Sequence, residues 1–172
     1  YSCDTLLLSV GLIPENELSK GANIVLDSAT NGPVVNESLE TNVEGIFACG
    51  NALHVHDLVD FVSEEAVLAG LSAAKYLKGE LKLEGNITKT VNGNGVSYIV
   101  PQQYRLDNIE DKIAFKFRVR KPFHNVKVVI KADELSVALM SAAPQIKNVI
   151  YMIPDGGGFP LFDFANGVKT EG

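Results

Sequence analysis

The sequence predicts an α/β unit over residues 1–80, a small antiparallel β module over 84–132, and a tail of different character over 133–172. Three observations carry this. Short apolar runs that end on glycine alternate with turn-rich stretches up to Gly50; a helical apolar pattern then runs from about Asp60 to Lys78; and beyond Gly79 the pattern switches to alternating, β-rich sequence.

The first unit opens with Thr5 to Val10, a continuous apolar run of strand length closed by Gly11 and Pro14, which is expected to be a strand buried on both faces. Ile24 to Leu26 reads as a short second strand. After the turn-rich Asn31-Gly32-Pro33, the run Gly45-Ile46-Phe47-Ala48-Cys49-Gly50 reads as another buried strand that stops on glycine. A His-rich loop, 52–59, leads to the helix. Val62, Ala66, Ala69, Ala73 and Leu77 lie near one face of that helix, Asp60 or Ser63 is available as its cap, and Gly79 ends it.

In the second module, residues 85–91 and 96–100 flank Asn92-Gly93-Asn94-Gly95, a hairpin signal, and Pro101 closes it. Ile113 to Val119 and Val126 to Ile130 supply two further strands. The tail contains an Ala-rich stretch from Ser136, then the apolar strand Val149 to Ile153 and Pro154-Asp155-Gly156-Gly157-Gly158, and is expected to be poorly anchored.

Composition narrows the function. With 172 residues and 46% hydrophobic content the chain can bury a core. A net charge of −6 with interspersed signs offers no basic stripe for nucleic acid and little attraction to an anionic membrane. No apolar run approaches the roughly 20 residues that span a bilayer. The opening Tyr1-Ser2-Cys3-Asp4 has neither an initiator Met nor the basic region of a signal peptide, so the true amino terminus is expected elsewhere. Two separated cysteines, Cys3 and Cys49, form neither a disulfide framework nor a Cys-x-x-Cys dithiol, which fits a cytoplasmic setting.

The most informative segment is Thr41-Asn42-Val43-Glu44-Gly45-Ile46-Phe47-Ala48-Cys49-Gly50-Asn51, where a strand delivers a glycine and a polar side chain to a sheet edge. It resembles the second flavin-binding motif of the thioredoxin-reductase and disulfide-reductase family of FAD-dependent pyridine-nucleotide oxidoreductases, with Asn51 where that family usually has Asp. Asp4 to Asn16, with its Gly-x-x-Pro turn, is similar to the return from that family's NAD(P) domain to its FAD domain. Residues 84–132 look like the β appendix of clostridial-type homologues encoded beside glycerol-3-phosphate dehydrogenase.

The resemblance implies an incomplete FAD-binding, Rossmann-like half and a parent activity that moves hydride from NAD(P)H through FAD to an unidentified acceptor. A homodimer or a dehydrogenase subunit is the implied protein partner. Gly50 lets backbone approach the pyrophosphate and ribitol, and Asn51 bonds the sugar alcohol, with Ala52 beside them. The first free N–H groups of the helix, around Ser63, Glu64 and Glu65, are expected to face the flavin edge that becomes anionic on reduction, with both carboxylates turned to solvent or a partner. His54 or His56 is a candidate proton donor. His54-x-His56-Asp57 also invites a metal reading, but no further Cys or His cluster completes a shell. A Gly-x-Gly-x-x-Gly fingerprint, which would hold the ADP half of FAD, is absent from the sequence.

Lys147 to Gly158 resembles a different family: the first strand and metal-ligand loop of the alkaline phosphatases, which would make Asp155 a ligand of a metal hydrolase. The short stretch after Asp155 cannot carry that family's nucleophile and remaining ligands. A junction between two genes within 132–146 would reconcile the two resemblances. A non-enzymatic β interaction module is the remaining alternative.

Overall fold

The computed structural model describes residues 2–8, 11–109, 112–123, 127–132, 135–141 and 146–154. In chain order they form helix α1 (Glu17–Gly21), helix α2 (Val59–Leu77) and strands β1 (Thr88–Lys89), β2 (Val96–Val100), β3 (Gln103–Tyr104), β4 (Lys112–Phe123), β5 (Lys127–Ala132), β6 (Leu135–Ser141) and β7 (Ile146–Pro154). Among the described residues every strand pair is antiparallel: β2-β4-β7, β5-β6 and β1-β3.

The amino-terminal unit is less regular than its sequence suggests. Residues 5–8 form no strand, and Leu6, Leu7 and Leu8 are exposed by 72%, 91% and 75%. An apolar run becomes a buried strand only when neighbouring strands satisfy its backbone and cover its side chains, and none of the described residues does so here. Ser9 and Val10 lie outside the described residues. The two other expected strands shrink to single bridges, Leu26↔Pro33 and Glu40↔Phe47, with Ile46 to Cys49 half-buried.

Helix α2 matches its predicted span to within one residue at each end, and Gly79, at φ +70°, follows its cap Lys78. Its start differs: the cap is Leu58, with no side-chain capping bond, rather than Asp60 or Ser63. The buried stripe also differs from the predicted apolar face. Glu65, Ala69 and Ser72 are buried, at i, i+4 and i+7, whereas Ala66 and Leu77 are exposed. No helix among the described residues is long and apolar enough to cross a membrane.

In the β module the Asn92–Gly95 turn forms, with Val96 N–H donating to the Gly93 carbonyl at 3.1 Å, but its two flanks do not pair with each other. β2 pairs with β4 instead, and β1 pairs with β3. The reason lies in β4, whose alternation buries Ile113, Phe115 and Phe117 and leaves Lys116 and Arg118 on the other face. That apolar face forms one core with Ile109, against Val96, Ile99 and Tyr104. β2 therefore gains more by lying on β4 than by closing a short hairpin. The described parts of the tail are paired: β6 pairs with β5, and β7, which contains the predicted strand, pairs with β4 from Lys112↔Pro154 to Phe123↔Ile146, while residues 155–172 lie outside the described residues.

A second core crosses Gly79. Val35, Leu39 and Leu53 from the first unit and Ala69 from α2 pack with Tyr98 and Val100 of β2. Polar ties reinforce it: Glu37 accepts from the Arg105 N–H at 2.8 Å and from Asn108 Nδ2 at 2.8 Å, and the Val35 N–H donates to Gln102 Oε1 at 3.0 Å.

Candidate functional site

The segment that ends at Cys49 turns sharply at Gly50, and Gly50–Ala52 form one turn of 3-10 helix before the loop to α2. Gly50 has φ +66°, a conformation costly for any residue with a Cβ, and an added Cβ would also come within 3.3 Å of Val62 Cγ1. Its carbonyl accepts from the N–H groups of Leu53 at 2.9 Å and His54 at 3.1 Å. Gly50 is buried, while Asn51 and Ala52 are exposed. The Asn51 Oδ1 accepts from the His56 N–H at 3.1 Å, and Asn51 Nδ2 makes no hydrogen bond among the described residues.

Two residues that the motif did not single out hold this turn from behind. Asn16 Nδ2 donates to the carbonyls of Ala52 at 2.8 Å and Asn31 at 3.0 Å, and Asn16 itself is buried. Gly32 lies so close that a Cβ there would fall 1.8 Å from the Leu53 carbonyl oxygen. The signal for Gly32 was present in the sequence as a turn glycine, but its partner in space was not.

The carboxylate of Glu65 is the hub of the site. Its Oε2 accepts from the Gly50 N–H at 2.7 Å and His56 Nε2 at 2.9 Å; its Oε1 accepts from His54 Nε2 at 3.1 Å and Lys116 Nζ at 2.9 Å. Its side chain is 2% exposed. Burial alone raises a carboxylate's pKa, but the hydrogen bonds from His54 and His56, and the charges of His54 and Lys116, hold Glu65 far below its ordinary 4.5. Since an ionised carboxylate only accepts, both imidazoles carry hydrogen on Nε2. Burial lowers the His54 pKa from 6.5, its hydrogen bond to Glu65 opposing, and the neutral ring can accept at Nδ1 from the Tyr98 hydroxyl, 3.4 Å away.

These contacts revise three sequence expectations. Glu65 was expected to turn its carboxylate outward and instead turns it inward; Glu64 is exposed. Ser63, Glu64 and Glu65 do not supply the free N–H groups of the helix, because α2 begins at Val59 and its unpaired N–H groups belong to the preceding turn, Leu58 to Phe61. The Ser63 hydroxyl donates to the Val59 carbonyl at 3.2 Å. His54 and His56 have side chains only 6% and 3% exposed and are committed through Nε2 to Glu65, so they hold that carboxylate rather than face an open pocket as proton donors.

The metal pattern changes partner as well. His54, His56 and Glu65 bring ligand-type atoms within 4.8 Å of one another, while Asp57 pairs with Arg118 at 3.0 Å. The ammonium of Lys116 also reaches this cluster, 2.9 Å from Glu65 Oε1. Cys49 borders the same carboxylate; burial first, and then Glu65, raise its thiol pKa, which disfavours the thiolate. Asp155 lies outside the described residues.

Residues 1–73 match the family model of the pyridine nucleotide-disulphide oxidoreductases. The matched region, less than half of the chain, contains the Gly50–Ala52 turn and most of α2. No curated protein and no solved structure matches the chain.

Proposed function

We propose that this chain serves an FAD-dependent oxidoreductase that passes hydride from NAD(P)H through FAD to an acceptor, and that Gly50, Asn51 and Ala52 meet the ribitol and ring end of the flavin. The observation that carries the reading is the turn itself. A glycine at φ +66° ends a half-buried segment just ahead of a 19-residue helix, with Asn51 and Ala52 exposed beside it, and this turn lies inside the region that matches the oxidoreductase family.

The residues fit the group they would hold. Asn51 Nδ2 is available to donate to a ribitol oxygen, and its Oδ1 keeps a second lone pair after accepting from His56. The unpaired N–H groups of Leu58 to Phe61 give the amino end of α2 a partial positive charge, which favours an anionic ligand edge. Of Ser63, Glu64 and Glu65, it is Glu65 that enters this site, through its hold on Gly50. Bound flavin would supply the redox chemistry; the chain's part is to shape and orient its seat. A homodimer or dehydrogenase partner in the cytoplasm suits such an enzyme.

The ADP half of FAD is not gripped by a Gly-x-Gly-x-x-Gly loop of these 172 residues. We therefore expect weak FAD binding and no NAD(P)H oxidase activity from this chain alone. Titration with FAD should show weak binding that Asn51→Asp retains and Gly50→Val abolishes, because valine at φ +66° and against Val62 would displace the turn. Equal titration curves for wild type and Gly50→Val would refute the assignment.

A further inference from the structure

The donors that surround Glu65 come from three places in the chain: the turn at Gly50, the loop carrying His54 and His56, and strand β4 through Lys116. A buried carboxylate is stable as an anion only when its lone pairs are filled and a positive charge lies near. Lys116 provides that charge at 2.9 Å, and its side chain is 17% exposed. The next residue on the same face of β4, Arg118, donates through Nη2 to the Val55 carbonyl at 3.2 Å and to Asp57 at 3.0 Å. The polar face of β4 thus runs along the loop that follows the Gly50 turn, while its other face is fixed in the core by Phe115 and Phe117.

We propose that Lys116 is a positioning residue for the flavin turn, acting through Glu65 on the Gly50 N–H. The inference rests on the flavin assignment above and extends it: the β module regulates the geometry of a seat that it does not itself line. Without the Lys116 ammonium, Glu65 loses its nearest full positive charge, its hold on Gly50 weakens, and the turn that carries Asn51 and Ala52 loosens.

The test compares wild type, Lys116→Met and Lys116→Arg in the full 172-residue chain, using two NMR measurements. The first is amide hydrogen exchange at Gly50, with Ala73 and Ala74 inside α2 as internal references. The second is a titration with FAD. Lys116→Met should speed Gly50 exchange by about tenfold, the factor expected from losing one charge-assisted hydrogen bond. It should weaken FAD binding by a similar factor and leave the reference amides unchanged, and Lys116→Arg should restore both.

Unchanged Gly50 exchange in Lys116→Met overturns the proposal, whatever FAD does. Faster exchange with unaltered FAD affinity also overturns it, because the turn then loosens without affecting the ligand. If wild type shows no FAD binding, the flavin reading fails and the positioning role fails with it; the Gly50 exchange would then measure only a structural bond. Should the reference amides in Lys116→Met also exchange rapidly, Lys116→Gln, which keeps a donor without the charge, replaces it. Intermediate exchange and intermediate FAD affinity in that variant support the proposal, and wild-type values for both refute it.

Discussion

Replacing Glu65 by Gln should destabilise the protein by about 2–3 kcal/mol, because glutamine cannot satisfy four donors. The carboxylate accepts two bonds at each oxygen. Glutamine keeps one acceptor oxygen and presents an NH2 where the other stood. The Gly50 N–H cannot adapt, so the oxygen should remain on its side, where His56 also bonds. His54 can shift its hydrogen to Nδ1 and accept at Nε2. Lys116 has no such option and must seek water. Breaking a buried ion pair costs about 3–5 kcal/mol, and removing the carboxylate's own burial cost offsets part of this. For a chain of this size the loss corresponds to a fall in Tm of about 4–12 °C. Urea unfolding followed by circular dichroism measures it directly. A Glu65→Gln variant within about 0.5 kcal/mol of wild type would mean that the buried cluster contributes no net stability. The double variant with Lys116→Met should cost less than the sum of the single changes, since both remove the same bond.

Stability should fall with acidity in two stages. His54 has a lowered folded pKa, so the unfolded state binds its proton first and stability begins to decline as pH falls through 6.5; Glu65, also lowered, adds a further loss below 4.5. A melting temperature flat from pH 7 to pH 4 contradicts this. Gly32→Ala should be more damaging than most glycine changes, about 3 kcal/mol or more, because its Cβ would meet the backbone carbonyl of Leu53 at 1.8 Å; a melting temperature equal to wild type would show that the two segments are not packed this way. The segment 84–132 made alone should show no cooperative thermal transition, since Tyr98 and Val100 are buried against Val35, Leu39 and Leu53, and about 50 residues is near the lower limit for a self-sufficient core.

What could be read from the sequence follows from how locally each feature is determined. Helix α2 was legible because its period and its closing glycine are local, and β4 because Ile113, Phe115 and Phe117 alternate with polar residues. The apolar run misled at Leu6, Leu7 and Leu8 because burial depends on neighbours that a run of leucines does not specify. The Asn92–Gly95 turn was legible, but the pairing of its flanks was decided by the longer apolar face of β4. In the site, Gly50 and Asn51 stood out through strand-end chemistry. Glu65 did not, because a glutamate in the second turn of a helix ordinarily lies in solvent; its place in one stripe with Ala69 and Ser72 was the available clue. Lys116 and Arg118 were legible as one face of a strand, but the loop and helix they meet are more than 50 residues away in the chain.

The most direct test of the central claim is a map of amide chemical shifts in the full chain as FAD is added. The account predicts that the Gly50, Asn51 and Ala52 amides, the Asn51 side-chain NH2 and the Leu58 to Phe61 amides shift together along one saturating curve, and that Gly50→Val removes these shifts. Shifts confined to other surfaces, or no shift at these positions at millimolar FAD, would contradict it.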